Sequence, residues 1–270
     1  MSLVVQFRPV AGVDRTERNA GSRMRTISRY HRPETLSEAV DLLARDGVTS
    51  IVVGGGTVVN ATEETSATEV IDIQVVCSEA IEEADDRVII GAMTRLQSLV
   101  DHPVVPPLLR ELAHREGPNT LRNAATVGGT VASGDPESEL LAGLLVHEAT
   151  VDIERRAGCN TVSLASLLSD RTALQSGIIT SISVARGGST ASARTGRTPA
   201  DVPIVAAVGR VTEDGPRLAL TGVAPTPIIV TADSIDSLNP PADFRGTTDY
   251  RQTLARTLIS RVLSQLGGAA

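Results

Sequence analysis

Apolar residues in the first part of the chain follow a helical spacing and then form a strand-like run. Thr35 and Glu38 have the spacing of a capping box. Behind them, apolar residues recur on one helical face at Leu36, Ala39, Val40, Leu42 and Leu43. The run Ile-Val-Val at 51–53 is typical of a buried strand and leads directly into three consecutive glycines. The pattern therefore predicts a capped helix and a strand that ends in a glycine-rich loop.

Helical and strand-like apolar patterns continue to alternate through the middle of the chain. Apolar runs predict strands over residues 70–73, 87–92, 150–153 and 178–184. Helical spacing predicts helices over residues 96–100, 108–113 and 140–147. Thr94 and Gln97 repeat the capping-box spacing in front of the first of these helices. Turn-forming residues are frequent in 119–139, so we expect a long turn-rich stretch there, and the acidic run 79–86 is typical of a solvated turn.

The two ends of the chain differ from the middle. Residues 1–23 are charged and lack apolar periodicity, so we interpret them as a flexible leader with Met24 as a candidate start. An ordinary ragged terminus is an equal alternative. Residues 186–198 are rich in Gly, Ser, Thr and Arg, which predicts a mobile connector and a domain boundary. Beyond it, two apolar segments (203–208 and 217–223) flank a turn, and an amphipathic helix follows at Tyr250, Leu254, Leu258 and Val262.

Composition and charge narrow the class of protein. The net charge of −7 and the absence of a basic stripe argue against nucleic acid as a partner. No apolar run approaches the length of about 20 residues that crosses a bilayer, and the start of the sequence lacks a secretory signal, so we expect a cytoplasmic protein without membrane insertion. Cys77 and Cys159 stand alone, which supports neither a disulfide framework nor a cysteine-ligated cluster.

Two glycine-rich segments carry the chemical signal. They are Val53-Gly54-Gly55-Gly56-Thr57 and residues 125–130, Ala-Thr-Val-Gly-Gly-Thr. Glycine lets successive amides converge on phosphate oxygens as an anion-binding nest. The first segment fails the Rossmann pattern, because position 59 is Val59, and it lacks the Gly-Lys-Ser/Thr ending of a P-loop. Each segment alone is more typical of a tight turn, whereas two together fit a pyrophosphate.

Other catalytic sites have little support in the sequence. The four histidines, His31, His102, His114 and His147, lie in separate elements without metal-binding spacing. Ser133 lies beside Gly134 but outside a Gly-x-Ser-x-Gly nucleophile elbow. We therefore predict neither a metal site nor hydrolase chemistry.

The order of motifs resembles a known family. A Tyr-x-Arg-Pro opening at 30–33 precedes the first glycine segment, and Arg-Asn-x-Ala-Thr-x-Gly-Gly stands at 122–129. Residues 132–139, 197–201 and 249–251 extend the match, which covers about residues 25–265. The chain resembles the FAD-binding medium subunit of molybdenum hydroxylases, such as the carbon monoxide dehydrogenase medium subunit and the xanthine dehydrogenase FAD domain.

This resemblance implies a fold and a set of cofactor-binding residues. The fold class is α+β: a two-part FAD-binding domain of the vanillyl-alcohol-oxidase/PCMH type (24–185, divided at about 77) and a small α+β C-terminal domain (186–270). The residues implied for FAD are Val53, Gly54, Gly55, Gly56, Thr57, Val58, Thr126, Gly128, Gly129, Thr130, Ser133, Asp135 and Glu139. Glu139 stands where the family has aspartate, and residues 189–196 lack the family's aromatic residue near the flavin.

The resemblance also implies a function. The chain would take electrons from [2Fe–2S] clusters of a small partner subunit, while a large partner binds the molybdenum cofactor, in a dimer of heterotrimers. Quinone, oxygen and NAD all stay open as the acceptor. A scaffold subunit that has lost FAD and a stand-alone flavoprotein reductase are the alternatives. For Arg122, positioning of the second segment and cofactor contact are equally open, whereas Arg194 is expected in a surface ion pair.

Overall fold

The computed structural model describes residues 27–61, 67–196, 198 and 201–268. The predicted leader, Met24 and part of the 197–201 motif lie outside these residues. Three sheets follow one another along the chain, each with its own helices, which confirms the α+β class. Within the described part of the chain, no helix is long and apolar enough to span a membrane.

The first sheet has three parallel strands in the order β1-β3-β2. Its elements are β1 (Arg29–His31), α1 (Leu36–Leu43), β2 (Ser50–Val53), α2 (Thr57–Ala61) and β3 (Glu69–Asp72). The predicted cap of α1 is confirmed, because Thr35 Oγ1 accepts a hydrogen bond from the amide of Glu38 at 3.2 Å. The Glu38 carboxylate in turn accepts one from the amide of Glu34 at 2.9 Å. The first glycine segment joins β2 to α2.

The second sheet has five antiparallel strands in the order β4-β5-β8-β6-β7. The strands are β4 (Ile81–Ala84), β5 (Arg87–Gly91), β6 (Thr150–Arg155), β7 (Gly158–Ser163) and β8 (Ile178–Ala185). The helices are α3 (Leu96–Asp101), α4 (Pro107–Arg115), α5 (Asn119–Arg122), α6 (Val127–Ser133), α7 (Glu139–Val146) and α8 (Leu164–Ser169), followed by a 3-10 turn (Arg171–Leu174). They cover the main hydrophobic core, which includes Leu109, Leu140 and Ile182.

The third sheet has four antiparallel strands in the order β12-β11-β10-β9. Its elements are β9 (Thr190–Arg194), β10 (Ala206–Thr212), β11 (Gly215–Thr221), β12 (Ile228–Val230), a 3-10 turn (Ala232–Ser237) and α9 (Thr248–Gly267). The C-terminal amphipathic helix is confirmed, since α9 packs Leu258 and Val262 into a separate apolar core. Helix α7, buried along its whole length, packs against β10 and β11 and so joins the second sheet to the third.

Four local expectations were wrong. Residues 119–139 hold helices α5 and α6 and the start of α7 rather than one long turn. The acidic run forms strand β4, with a tight turn at Asp85 and Asp86. The predicted connector contains β9, which pairs with β10. Thr94 does not cap α3, because its hydroxyl donates to the carbonyl oxygens of Glu79 and Ala80 at 3.0 and 3.4 Å.

Candidate functional site

A cleft of about 550 Å³ lies between the first sheet and the second. One wall is formed by residues 43–52, which lead from α1 into β2, and the other by the start of α6 and residues 174–179. Met93, Ile73 and Ile178 form an apolar floor that belongs to a small core shared by the two sheets. Among the described residues that line the cleft, none is aromatic, which agrees with the scarcity of aromatic residues in the sequence.

The two glycine segments meet at this cleft. A Cβ atom on Gly54 would lie 3.0 Å from Met93 Sδ and 3.3 Å from Thr126 Oγ1. A Cβ on Gly55 would overlap the carbonyl oxygen of Ala124. Position 55 therefore requires glycine because the two segments cross in direct backbone contact, whereas a methyl group at Gly54 would be tight against two side chains. The structure thus brings together the two motifs that lie about seventy residues apart in sequence.

The first segment offers free hydrogen-bond donors. Among the described residues, no acceptor takes a hydrogen bond from the backbone amides of Gly54, Gly55 or Gly56. Gly56 has φ of +72°, in the left-handed region that reverses the direction of successive amides. Partly buried amides without acceptors are the donors from which anion-binding nests are built. This segment fits a phosphate-containing cofactor.

The second segment is the N-terminal turn of helix α6 rather than a loop. Thr126 is the N-cap, and its Oγ1 accepts a hydrogen bond from the amide of Gly129 at 3.1 Å. The amides of Val127 and Gly128 donate at 2.9 Å to the carbonyl oxygens of Thr94 and Ala92. These amides are already engaged within the protein. The segment therefore contributes shape to the cleft, with Gly129 exposed on its surface.

The next three predicted residues close helix α6. Thr130 Oγ1 donates to the carbonyl of Thr126 at 3.2 Å, and Ser133 Oγ donates to the carbonyl of Thr130 at 2.8 Å. Asp135 Oδ1 accepts a hydrogen bond from the amide of Glu137 at 2.9 Å. None of these three residues lines the cleft. They shape the turn that leads from α6 into α7.

Glu139 is held by two arginines away from the cleft. It is the first residue of α7 and is 4% exposed. Its carboxylate oxygens lie 3.2 Å from Arg115 Nη1 and 3.2 Å from Arg194 Nε. Burial raises the pKa of Glu139, and the two guanidinium groups lower it. The expectation of a surface ion pair for Arg194 was wrong, because its partner is this buried carboxylate.

Glu116 was not singled out by the sequence analysis. Its Oε1 accepts hydrogen bonds from Ser138 Oγ at 2.8 Å and from the amide of Leu140 at 2.9 Å, at the N-terminus of α7. Burial raises the pKa of Glu116 to about 7 against the lowering effect of these donors. No sequence signal marks the residue, because its partners lie more than twenty positions away.

Arg122 positions the second segment and does not line the cleft. Its Nε donates to Gln97 Oε1 at 2.9 Å, and its Nη1 donates to the carbonyl oxygens of His114 and Gly117. These contacts tie α5 to the end of α4 and to α3. The sequence left positioning of the second segment and contact with the cofactor open for Arg122. Its contacts in the structure are those of a positioning residue.

Two other arginines line the cleft and were missed. Arg45 forms an ion pair with Glu69. Arg171 lies on the opposite wall, where its Nη2 donates to the carbonyl of Ala132 at the end of α6. An isolated arginine between a helix and a strand gives no sequence signal, because only the fold brings it to the cleft.

The histidines take structural positions. His147 is 1% exposed, and its Nδ1 is hydrogen-bonded to the carbonyl of Ala185 at 2.8 Å. Burial lowers the pKa of His147 to about 4. Across the described ranges, no group of three or more His, Cys, Asp or Glu residues is arranged to hold a metal ion.

Comparison with known families agrees with this geometry. Residues 23–185 match the family model described as the FAD binding domain in molybdopterin dehydrogenase. The match covers more than half of the chain, so the chain belongs to this family, and FAD is its cofactor. The resemblance to FAD-binding medium subunits of molybdenum hydroxylases is confirmed.

Individual relatives extend the likeness beyond that domain. The carbon monoxide dehydrogenase medium chain of Hydrogenophaga pseudoflava is 28% identical over 275 residues, which cover 87% of this chain and 95% of the relative. A putative xanthine dehydrogenase FAD-binding subunit XdhB of Escherichia coli is 27% identical over 143 residues, 50% of this chain and 49% of the relative.

A solved structure also matches most of the chain. It is the carbon monoxide dehydrogenase from Hydrogenophaga pseudoflava that lacks the Mo-pyranopterin moiety of its molybdenum cofactor. The TM-score is 0.79 at 26% identity, over 89% of this chain and 97% of the matched chain. The predicted fold, an FAD-binding domain of the medium-subunit type followed by a C-terminal α+β part, is confirmed.

Proposed function

We propose that this chain is the electron-transfer subunit of a heteromeric molybdenum hydroxylase. It takes electrons from [2Fe–2S] clusters of a partner subunit and passes them to an external acceptor. The observation that carries the proposal is the set of free amides at Gly54–Gly56: Gly54 lines the cleft beside the N-cap of α6, and Gly55 and Gly56 follow it directly in the chain. When bound, FAD supplies the redox chemistry, while the protein supplies binding, orientation and electrostatics.

The residues of the cleft divide these tasks. The amides of Gly54, Gly55 and Gly56 donate to the pyrophosphate, and exposed Gly129 lets the cofactor approach the start of α6 closely. Met93 and the isoleucines of the floor would exclude water from the bound cofactor. Of the wider set implied by the resemblance, we propose for cofactor binding Gly54, Thr126, Gly128 and Gly129, which line the cleft, and the adjoining Val53, Gly55, Gly56, Thr57 and Val58. Thr130, Ser133 and Asp135 support the cleft from the turn after α6, and Glu139 supports it through Arg115 and Arg194.

The proposal assigns the other redox centres to partner chains. A [2Fe–2S] cluster is held by four protein ligands, usually thiolates, and the full sequence contains two cysteines. The names of the relatives, a medium chain and an FAD-binding subunit, support a multi-subunit complex. We therefore propose a molybdopterin-binding large subunit and a [2Fe–2S] small subunit as partners, in a cytoplasmic dimer of heterotrimers. Within that complex, we propose that this chain has two domains: the FAD-binding domain 24–185, divided at about 77, and the C-terminal domain 186–270.

Reconstitution with FAD tests the cofactor site. Purified wild-type protein is expected to hold FAD with an absorption band near about 450 nm, set by the flavin itself. In Gly129→Leu, the new side chain extends from the exposed first turn of α6 into the cleft, and its Cβ also crowds the cap oxygen of Thr126 at 2.9 Å. FAD retention should therefore fall further than in Thr126→Ala, which loses the same cap without adding bulk. Gly267→Leu is the matched control, because a Cβ there meets no atom within 4 Å. Circular dichroism checks that the variants fold.

A tagged chain isolated from its native cells tests the electron-transfer role. We expect FAD, molybdenum and iron to copurify with it, measured by absorption and by elemental analysis. Colourless protein that still brings down molybdenum and iron would identify a scaffold subunit without FAD. Protein that holds FAD and has diaphorase activity without either metal would identify a stand-alone reductase.

A further inference from the structure

Arg171 reaches from the second sheet across the end of α6. It begins the 3-10 turn between α8 and β8, and its Nη2 donates to the carbonyl of Ala132. Gly134 makes room for it, because a Cβ on Gly134 would overlap Nη1 of Arg171. Gly134 also has φ of +62° as the C-cap of α6. The backbone is thus shaped around this guanidinium at the wall of the cleft.

Among the described residues, no carboxylate pairs with the charge of Arg171. Nη1 is buried and has no hydrogen-bond partner, and no carboxylate of the described residues lies within ion-pair distance of the side chain. Neighbouring Asp170 caps the turn instead, by accepting a hydrogen bond from the amide of Thr172 at 2.9 Å. Arg45, on the opposite wall, is already paired with Glu69.

Such an arrangement is costly without an anion. Arg171 is partly buried, with Nη1 fully shielded from solvent, and a partly buried cation loses hydration that an opposite charge and satisfied hydrogen bonds restore. Burial alone lowers the pKa of Arg171, with no acidic neighbour to raise it. Among the parts of FAD, the pyrophosphate carries the negative charge, and guanidinium groups bind phosphate oxygens in directed pairs.

We infer that Arg171 is a cofactor-binding residue whose guanidinium group, which lines the cleft and has no ion-pair partner among the described residues, binds the pyrophosphate of FAD. This inference rests on the proposed function, because it requires FAD in the cleft between the first and second sheets. It adds a charged contact to the neutral amides of Gly54–Gly56, of which Gly54 lines the same cleft. The pyrophosphate carries the same charge in oxidised and reduced FAD, so a contact with it strengthens the binding of both forms equally and leaves the potential of the flavin unchanged.

Fluorescence titration with FAD tests this contact in Arg171→Gln and Arg171→Lys. Loss of a charge-assisted hydrogen bond is expected to raise the Kd of Arg171→Gln roughly 10- to 100-fold, with partial recovery in Arg171→Lys. Arg155→Gln is the matched control. Arg155 donates to the carbonyl of Ala173 in the same 3-10 turn and also has a buried nitrogen without a partner, but it does not line the cleft.

Two further readouts separate binding from a structural role. Without FAD, the thermal midpoint of Arg171→Gln should equal or exceed that of wild type, because an uncompensated charge has been removed. With saturating FAD, the midpoint potential of the flavin should stay unchanged.

Three results would overturn the inference alone: an unchanged Kd, a loss of stability without FAD that matches the loss with FAD, or a shifted potential at unchanged Kd. A wild-type protein that binds no FAD overturns the proposed function together with this inference.

Discussion

The α-carbon of Gly55 packs directly against the carbonyl group of Ala124, with no room for a methyl group between them. This contact joins the loop after β2 to the segment before α6. It fixes the relative position of the first and second sheets at the cleft. The two motifs therefore form one structural unit, in which the free amides of Gly54–Gly56 are held against the N-cap of α6.

Replacement of Gly55 by alanine should destabilise the protein. Overpacking against rigid backbone costs about 1–3 kcal/mol, and the overlapping atom here belongs to a carbonyl that cannot rotate away. Urea unfolding followed by circular dichroism measures the change. Gly267→Ala, in open space at the end of α9, is the control and should be neutral or slightly stabilising. Equal stability of the two variants would contradict the packing argument.

Thr126→Ala should weaken helix α6 and with it the cleft. Loss of the N-cap hydrogen bond to the amide of Gly129 costs about 0.5–2 kcal/mol, and the freed first turn should also bind FAD less tightly. Thr126→Ser keeps an acceptor oxygen and should restore most of both properties. Unfolding and FAD titrations of the two variants provide the measurement. An alanine variant as stable as the serine variant would show that the cap contributes nothing.

Glu116 should make the protein less stable as the pH rises. Its folded pKa of about 7 lies above the ordinary glutamate value, so the native state keeps a proton that the unfolded chain has released. The free energy of unfolding should therefore fall by roughly 1–3 kcal/mol between about pH 4.5 and 7. Glu116→Gln should remove this slope and be more stable than wild type at pH 8. The exposed Glu111→Gln is the control and should retain the slope.

His147 should make the protein less stable as the pH falls, which is opposite to the effect of Glu116. A carbonyl can only accept, so neutral His147 donates its Nδ1 hydrogen to Ala185. Its folded pKa of about 4 is below the ordinary value, so the unfolded chain takes up a proton first as the pH falls. Between about pH 6.5 and 4 this should cost roughly 1–3 kcal/mol of stability. This loss of stability should be absent in His147→Asn. The same acid-induced loss in the variant and in the wild type would contradict the prediction.

Much of the fold could be predicted because its signals are local. The Thr35 cap, the strand before Gly54 and the apolar faces of α4, α7 and α9 follow from residues only a few positions apart. Strand β9 has no such pattern, because it is held by its pairing with β10. Helix α6 contains two glycines that disfavour a helix, and it forms because Thr126, Thr94 and Ala92 accept the amides of its first turn.

The candidate site was predictable only in part, for a physical reason. The glycines at 54–56 and 128–129 stand out in the sequence, and the fold brings them together. Which amides are free depends on distant carbonyl oxygens, and no local pattern records them. The sequence around Glu139 likewise does not show that Arg115 and Arg194 pair with its carboxylate. Nor does the sequence around Arg171 show that no carboxylate of the described residues pairs with its guanidinium group.

Gly55 and Gly128 each pack directly against neighbouring backbone, and this packing limits how the family can evolve. A Cβ on Gly128 would lie 2.8 Å from the carbonyl oxygen of Ala92, and Gly55 is equally constrained by Ala124. Selection for folding alone therefore preserves both glycines in any descendant that keeps this architecture. A Cβ on Gly129 would also crowd the cap oxygen of Thr126, at 2.9 Å, whereas the side chain of Arg171 is held by one hydrogen bond, to the carbonyl of Ala132. Descendants that abandon the flavin would therefore first accumulate changes at Arg171. That position, and not the conspicuous glycine pairs, would record the loss of the cofactor along a lineage.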